Sequence, residues 1–221
     1  MKAMILAAGH GKRMRPLTDN LPKPLLEVAG KPLILWHIER LKRSGITDFV
    51  INIAWKGWKI PERLGDGSAY GVKISYSDEQ DIGALETAGG IIKALPLLED
   101  QPFLVVNGDI WCDYPYSELT LDDNDLAHLI LVDNPAHNPS GDFHLENGRS
   151  FSEGDNKLTF SGIGLYSPKL FSSLPVEKTP LAPLLFKAMD NGLVSAIHFT
   201  GDWRDIGTPK RLKNLEKDIK N

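Results

Sequence analysis

Ala7, Ala8, Gly9 and Gly11 lie in the stretch Leu6-Ala7-Ala8-Gly9-His10-Gly11-Lys12-Arg13-Met14-Arg15-Pro16-Leu17-Thr18, with Pro22-Lys23-Pro24-Leu25 just beyond it. An apolar segment gives way to small residues, then to two glycines, then to a cluster of cations. Small side chains let a nucleobase or a phosphate approach the backbone closely. The exposed N–H groups of such a loop cradle an anion. Arg13, Arg15 and Lys23 can then neutralise several phosphate oxygens. Two commoner phosphate loops are excluded. The P-loop pattern G-x-x-x-x-G-K-[ST] is absent, and the dinucleotide pattern G-x-G-x-x-G fails at its third glycine, where Met14 stands. Glu27 lies at a distance suited to a ribose contact. However, the connection is long and rich in prolines and cations, whereas a dinucleotide site needs a tight turn straight into a helix.

Two acidic positions follow. Asp109 closes Val106-Asn107-Gly108-Asp109 after an apolar run, and Asp205 lies within Trp203-Arg204-Asp205-Ile206-Gly207-Thr208. Ligands of open α/β sheets sit beyond the carboxyl ends of the strands, so a carboxylate just past a central strand shares the crevice of the glycine loop. Two carboxylates meeting triphosphate oxygens are what a Mg²⁺ site requires. Aspartates at strand ends also serve as turn and cap residues, and each of these taken alone reads that way.

These residues need a frame to hold them. Short apolar runs alternate with longer amphipathic ones, the pattern of βαβ units. Strands are predicted over residues 3–7, 49–53, 72–76, 103–106 and 126–132, and helices over 32–44, 56–64 and 87–95. Pro61 interrupts the second helix, and Gly89 and Gly90 weaken the third. Beyond Asp133, residues 141–146 and 158–166 are strand-like and separated by Asn-Gly and Gly-Asp turn signals, and helices are expected over 181–191 and 209–220. The predicted fold is α/β, a Rossmann-like three-layer sandwich. Its central sheet is mostly parallel (GT-A-like), with added antiparallel strands. No linker divides the chain, so residues 1–221 read as one domain.

Composition narrows the classes. With 42% hydrophobic and 24% charged residues the chain resembles an ordinary soluble protein. A net charge of −4 argues against nucleic-acid or membrane-surface binding, which needs a basic face, but leaves room for a local basic pocket. Cys112 is the only cysteine, so no internal disulfide forms, and a cytoplasmic setting is expected. The N-terminal apolar run is too short for a signal peptide, and no segment approaches the roughly 20 apolar residues of a membrane helix.

The first loop resembles that of the sugar-1-phosphate nucleotidyltransferases, also called sugar-nucleotide pyrophosphorylases. Their pattern is close to L-A-A-G-x-G-x-R-x-x-P-L-T, then P-K-P-L, then G-K-P. Gly30-Lys31-Pro32 supplies the last part. The resemblance implies transfer of a nucleoside monophosphate from a nucleoside triphosphate to a sugar 1-phosphate, with Mg²⁺ as cofactor and pyrophosphate released. It implies a metal role for Asp109, which matches the family's aspartate after the fourth strand. It implies the same for Asp205, which matches the W-x-D-x-G-T motif. Arg15 and Lys23 become the catalytic cations, Arg15 on the departing pyrophosphate and Lys23 bridging the α-phosphate and the sugar phosphate. Ala7, Ala8, Gly9, Gly11 and Arg13 would hold the base and phosphates. Residues 77–90 read the nucleobase edge and cover the ribose in the family, which makes Glu79 and Gly89 candidate nucleotide contacts. Asp78, Asp81 and Glu86 compete with Glu79 for the N3–H of a uracil or thymine. Asn107, Gly141, Asp142 and Ser161 are the candidate sugar contacts. The family's E-K-P element has no clear counterpart, and Lys157 stands near its place.

Val132-Asp133-Asn134-Pro135, Gly141-Asp142-Phe143 and Leu181-Ala182-Pro183-Leu184-Leu185 are most similar to a compact branch of the family. That branch lacks a C-terminal hexapeptide-repeat domain and uridylylates N-acetylmuramate 1-phosphate in peptidoglycan recycling. UTP and that sugar phosphate are the implied substrates, and the chain is expected to be a monomer or a weak homo-oligomer. Other pairs remain open: dTTP with glucose 1-phosphate, GTP with mannose 1-phosphate, or CTP with phosphocholine. A non-catalytic relative that senses nucleotide sugars is a further alternative. A glycosyltransferase of similar topology usually carries D-x-D, where this chain reads Asp109-Ile110-Trp111-Cys112-Asp113. His10, His37, His128 and His198 are expected as packed or solvated residues, and no pair has zinc spacing. His137 and His144 flank the sugar region.

Overall fold

Strands whose apolar residues do not alternate with polar ones must bury both faces. The computed structural model, which describes residues 1–220, shows how they do so. Strand β1 (Ala3–Leu6) runs into the glycine loop. A short hairpin of β2 (Glu27–Val28) and β3 (Lys31–Pro32) follows, and then helix α1 (Leu33–Arg43). Next come β4 (Asp48–Ile53), α2 (Lys59–Leu64), β5 (Lys73–Asp78), α3 (Glu86–Leu98), β6 (Phe103–Asn107) and β7 (Ile110–Cys112). The second half holds β8 (Ala127–Val132), β9 (His144–Glu146), β10 (Arg149–Phe151), β11 (Thr159–Tyr166), α4 (Ala182–Asp190), β12 (Val194–Phe199), β13 (Trp203–Asp205) and α5 (Pro209–Lys220).

Nine strands form one sheet in the order β5-β4-β1-β6-β11-β8-β12-β10-β9. The pairs β4–β5, β1–β4, β1–β6 and β8–β12 are parallel. Strand β11 runs antiparallel between β6 and β8, and β10 antiparallel between β12 and β9. This is the expected mostly parallel sheet with antiparallel additions. Alternate residues point to opposite faces. Ala3, Ile5, Phe49, Ile51, Leu104 and Val106 pack with Ile34, Ile38 and Leu41 of α1 and with Ile60 and Leu64 of α2. Met4, Val50, Phe103 and Val105 pack instead with Ala88, Ile91 and Leu98 of α3 and with Leu185 and Met189 of α4. Helices on both faces make the three layers.

The structure departs from the sequence expectation in instructive places. Helix α2 starts at Lys59, so Pro61 falls in its first turn, where the missing N–H breaks no helical bond. Helix α3 runs on to Leu98 despite Gly89, Gly90 and an internal Pro96, because its apolar face is buried against the sheet. Strands β2, β3, β7, β10, β12 and β13 lie outside the predicted set. Most span two or three residues, too short for a periodic signal. Strand β12 begins with alternation, which the exposed pair Ile197 and His198 then breaks before Phe199.

Strands β7 and β13 pair antiparallel in a separate ribbon, with Asp205 opposite Ile110. A third apolar cluster, including Met14, Val28, Leu33, Trp111, Ile206 and Leu215, fastens α5 and the β2–β3 hairpin beneath the first loop.

Candidate active site

The carboxyl ends of β1, β4 and β6 open on a cavity of about 350 Å³. The first loop forms one wall. Gly11 takes a left-handed conformation, φ 61°, and leads into a 3-10 turn over Lys12–Met14. A Cβ at Gly11 would stand 2.9 Å from Thr18 Cγ2, while the Thr18 hydroxyl donates to the Gly11 carbonyl at 2.8 Å. The loop is thus folded on itself, and only a glycine fits its bend. Gly108 N donates to the Leu6 carbonyl at 2.9 Å, which binds the end of β6 to the end of β1.

Lys23 emerges from a second 3-10 turn, Lys23–Leu25, and is 8% exposed. Its Nζ donates to Asp109 Oδ2 at 2.7 Å. An ammonium so far from solvent needs such an anion beside it. The β7–β13 ribbon then carries the second acid to the first: Ile206 N donates to the Asp109 carbonyl at 2.9 Å. The carboxylate of Asp205 is held by Arg211 Nη1 of α5 at 2.6 Å and by His137 Nε2 at 3.1 Å, both on Oδ2. Residues nearly one hundred positions apart in the chain are therefore neighbours here.

Of the residues singled out in the sequence, Ala7, Ala8, Gly9, Gly11, Arg13, Lys23, Glu79, Asn107 and Asp109 line the cavity. Six do not. Arg15 turns outward, its side chain 59% exposed, and pairs with Asp19 Oδ1 at 3.3 Å. Gly89 lies inside α3. Its N–H donates to the Thr179 carbonyl, and a Cβ there would meet the Glu177 carbonyl oxygen at 2.2 Å. Asp205 does not line the cavity, but a Cβ at Gly207, which does, would stand 2.9 Å from Asp205 Oδ1. Gly141, Asp142 and Ser161 are not among the lining residues. Asp142 accepts from Phe160 N at 2.8 Å and from Asn138 Nδ2 at 3.1 Å. The buried Ser161 hydroxyl accepts from Ile163 N at 3.1 Å. They are joined to the cavity wall through Gly162, where a Cβ would stand 2.5 Å from Asn107 Nδ2. Lys157 is also outside, 3.6 Å from Glu153.

The competing acids separate by burial. Glu79 has no exposed surface, whereas Asp78 and Asp81 face solvent, and Glu86 lines the rim and pairs with Lys178 at 3.3 Å. The sequence reading missed Asn52, which lines the cavity from the end of β4. A signal for it existed: it is the one polar residue inside the otherwise apolar run Phe49-Val50-Ile51-Asn52-Ile53. His37 proves to be a packed histidine, 2% exposed, and burial with the nearby Arg40 charge lowers its pKa to about 4. Burial pushes the Cys112 thiol up to about 12, which leaves it inert. Among the described residues, no helix is long and apolar enough to cross a membrane.

Residues 2–143 match the sequence pattern of the family described as nucleotidyl transferase. The chain belongs to that family. This nucleotidyl transferase is 54% identical to the N-acetylmuramate alpha-1-phosphate uridylyltransferase of Neisseria meningitidis, over 98% of this chain and 97% of that protein. It is 32% identical to the mannose-1-phosphate guanyltransferase of Aspergillus oryzae, over 95% of this chain but only 62% of the relative's length. The inositol-1-phosphate CTP transferase of T. maritima shares the fold, with a TM-score of 0.78 at 22% identity, over all of this chain and 96% of the other. The transfer of a nucleoside monophosphate from a triphosphate to a sugar 1-phosphate is the chemistry of this family.

Proposed function

We propose that the chain transfers uridylate from UTP to N-acetylmuramate 1-phosphate, giving UDP-N-acetylmuramate and pyrophosphate. One observation carries this reading: the buried Lys23 converges with Asp109 beside the glycine loop, in a chain 54% identical to the Neisseria uridylyltransferase over 98% of its length. The setting that follows is peptidoglycan recycling in a bacterial cytoplasm. All of residues 1–221 act as one domain in this reading.

An oxygen of the sugar phosphate attacks the α-phosphorus. A new P–O bond forms as the bond to the β-phosphate oxygen breaks, and pyrophosphate leaves with the electron pair. No covalent intermediate with the protein is needed, so the work of the chain is positioning and charge neutralisation. The first loop holds the triphosphate through backbone N–H groups, with Arg13 beside it. Lys23 faces the α-phosphate, where negative charge builds. Arg15, drawn from its surface pair with Asp19, reaches the departing pyrophosphate. Glu79 accepts the N3–H of uracil. Asn107, Gly141, Asp142 and Ser161 form the sugar side.

The acids fit a hard divalent ion. Asp109 and Asp205 offer oxygen donors, and Oδ1 of each is free of hydrogen bonds among the described residues. Mg²⁺ takes few protein ligands and completes its shell with phosphate and water. Asp109 and Asp205 would hold Mg²⁺, which would supply further charge neutralisation at the triphosphate.

Pyrophosphate release tests the assignment across UTP, dTTP, GTP and CTP, each paired with N-acetylmuramate, glucose and mannose 1-phosphates and with phosphocholine. UTP with N-acetylmuramate 1-phosphate is expected to turn over fastest, and chelation of divalent ions to stop the reaction. Turnover of another pair while this one stays inert would overturn the substrate assignment.

A further inference from the structure

Asn52 has no part in the chemistry above, yet it ties together the two loops on the nucleotide side of the cavity. It is 3% exposed, at the end of β4, flanked in register by Leu6 of β1 and Ser77 of β5. Its Oδ1 accepts from Ala7 N at 2.8 Å, and its Nδ2 donates to Glu79 Oε1 at 2.8 Å. Exchanging the two ends of the amide would lose both bonds, so its orientation is fixed. The other oxygen of Glu79 accepts from Leu85 N at 2.9 Å. The backbone carbonyl of Glu79 meanwhile accepts from Gly83 N at 2.8 Å. Helix α3 closes over the pair: a Cβ at Gly90 would stand 2.9 Å from both Asn52 Nδ2 and Glu79 Oε1. Both residues belong to the cavity wall, with Glu79 wholly covered and Asn52 3% exposed.

We propose that Asn52 is a positioning residue that sets nucleobase specificity through Glu79. The proposal rests on the reading of Glu79 as the acceptor for the base. Each carboxylate oxygen carries two lone pairs, and the donors from Asn52 and Leu85 occupy one on each side. They fix the plane of the carboxylate and leave acceptor capacity for a ligand. Uracil meets it with an N3–H donor. Cytosine presents a lone pair at N3 and is repelled. If the carboxylate could rotate, this distinction would blur. Because the other end of Asn52 holds Ala7, the base acceptor and the first loop also keep a fixed spacing.

The test compares kcat, the KM for UTP and the inhibition constant of CTP in the parent, N52D, N52A, E79Q and the double variant N52A/E79Q. Asn52→Asp keeps an acceptor for Ala7 N–H but sets a second carboxylate against Glu79. The ratio of the CTP inhibition constant to the UTP KM is expected to fall about tenfold in both Asn52 variants, with KM affected more than kcat. Once Glu79 is Gln, Asn52→Ala should change that ratio no further. A ratio altered by E79Q but untouched by the Asn52 variants overturns the positioning role and leaves the base reading intact. A ratio untouched by E79Q overturns the base reading itself. An undiminished effect of Asn52→Ala in the E79Q background means that Asn52 acts through the first loop alone, and the proposal fails. Loss of native circular dichroism in both Asn52 variants would make the residue structural and overturn it as well.

Discussion

The pair Lys23 and Asp109 concentrates the candidate chemistry in two side chains 2.7 Å apart. A nearly buried ammonium is stabilised by a counter-anion, and its charge is what a reacting phosphate needs. Lys23→Met should lower kcat at least about a hundredfold, the usual effect of removing one group that neutralises transition-state charge. Asp109→Asn should abolish turnover with the far-ultraviolet circular dichroism unchanged. Steady-state kinetics on both variants checks this, and near-parental kcat in either would remove that residue from the chemistry. Both residues were singled out through the motifs that resemble the family's, since Asp109 taken alone reads as a turn or cap residue; their pairing with each other was not anticipated. Nor was the direction of a long, exposed side chain. Arg15 sits in the same motif, yet its guanidinium lies against Asp19 at the surface. Asn52 shows the opposite case, an unremarked polar residue whose partners come from two other segments of the chain.

At the scale of elements, close backbone approaches govern the site. In β11, Gly162 has φ 81° and lies where the register with β8 shifts, between Phe160 and Gly164. An alanine there would combine a left-handed backbone with a methyl 2.5 Å from the Asn107 amide. Gly162→Ala should cost about 1–3 kcal/mol of stability. It should also raise the KM for the sugar phosphate by displacing Asn107. Urea denaturation and kinetics measure the two effects, and a variant with parental values in both would show that β11 has room to spare. The long elements were readable because both faces of the parallel strands are buried, which makes β1, β4 and β6 largely apolar runs. The β7–β13 ribbon was not readable, since three-residue strands carry no period and their pairing joins distant segments.

For the molecule as a whole, buried His37 links folding to acidity. Its pKa in the folded chain is about 4, against 6.5 in an unfolded one, chiefly through burial. The unfolded chain therefore binds the proton first as pH falls. The stability contributed by neutral His37 is complete above pH 6.5 and is lost as pH drops from 6.5 towards 4. The loss has a ceiling of about 3 kcal/mol. His37→Gln should flatten the dependence of stability on pH across that window relative to the parent. Denaturant midpoints at pH 7.5, 5.5 and 4.5 would reveal it, and parallel curves for the two proteins would remove His37 from the account.

The β7–β13 ribbon has a consequence for the order in which the molecule becomes competent. Among the described residues, every one lining the cavity lies at or before Asp109, with the single exception of Gly207. Asp205 arrives on the last strand, and Arg211, which holds it, on the last helix. A ribosome that has finished the first half has already made nearly the whole nucleotide pocket, while the second acid is still to be translated. In the proposed mechanism turnover therefore waits for Asp205, which follows the rest of the pocket by nearly one hundred residues, whereas nucleotide affinity does not.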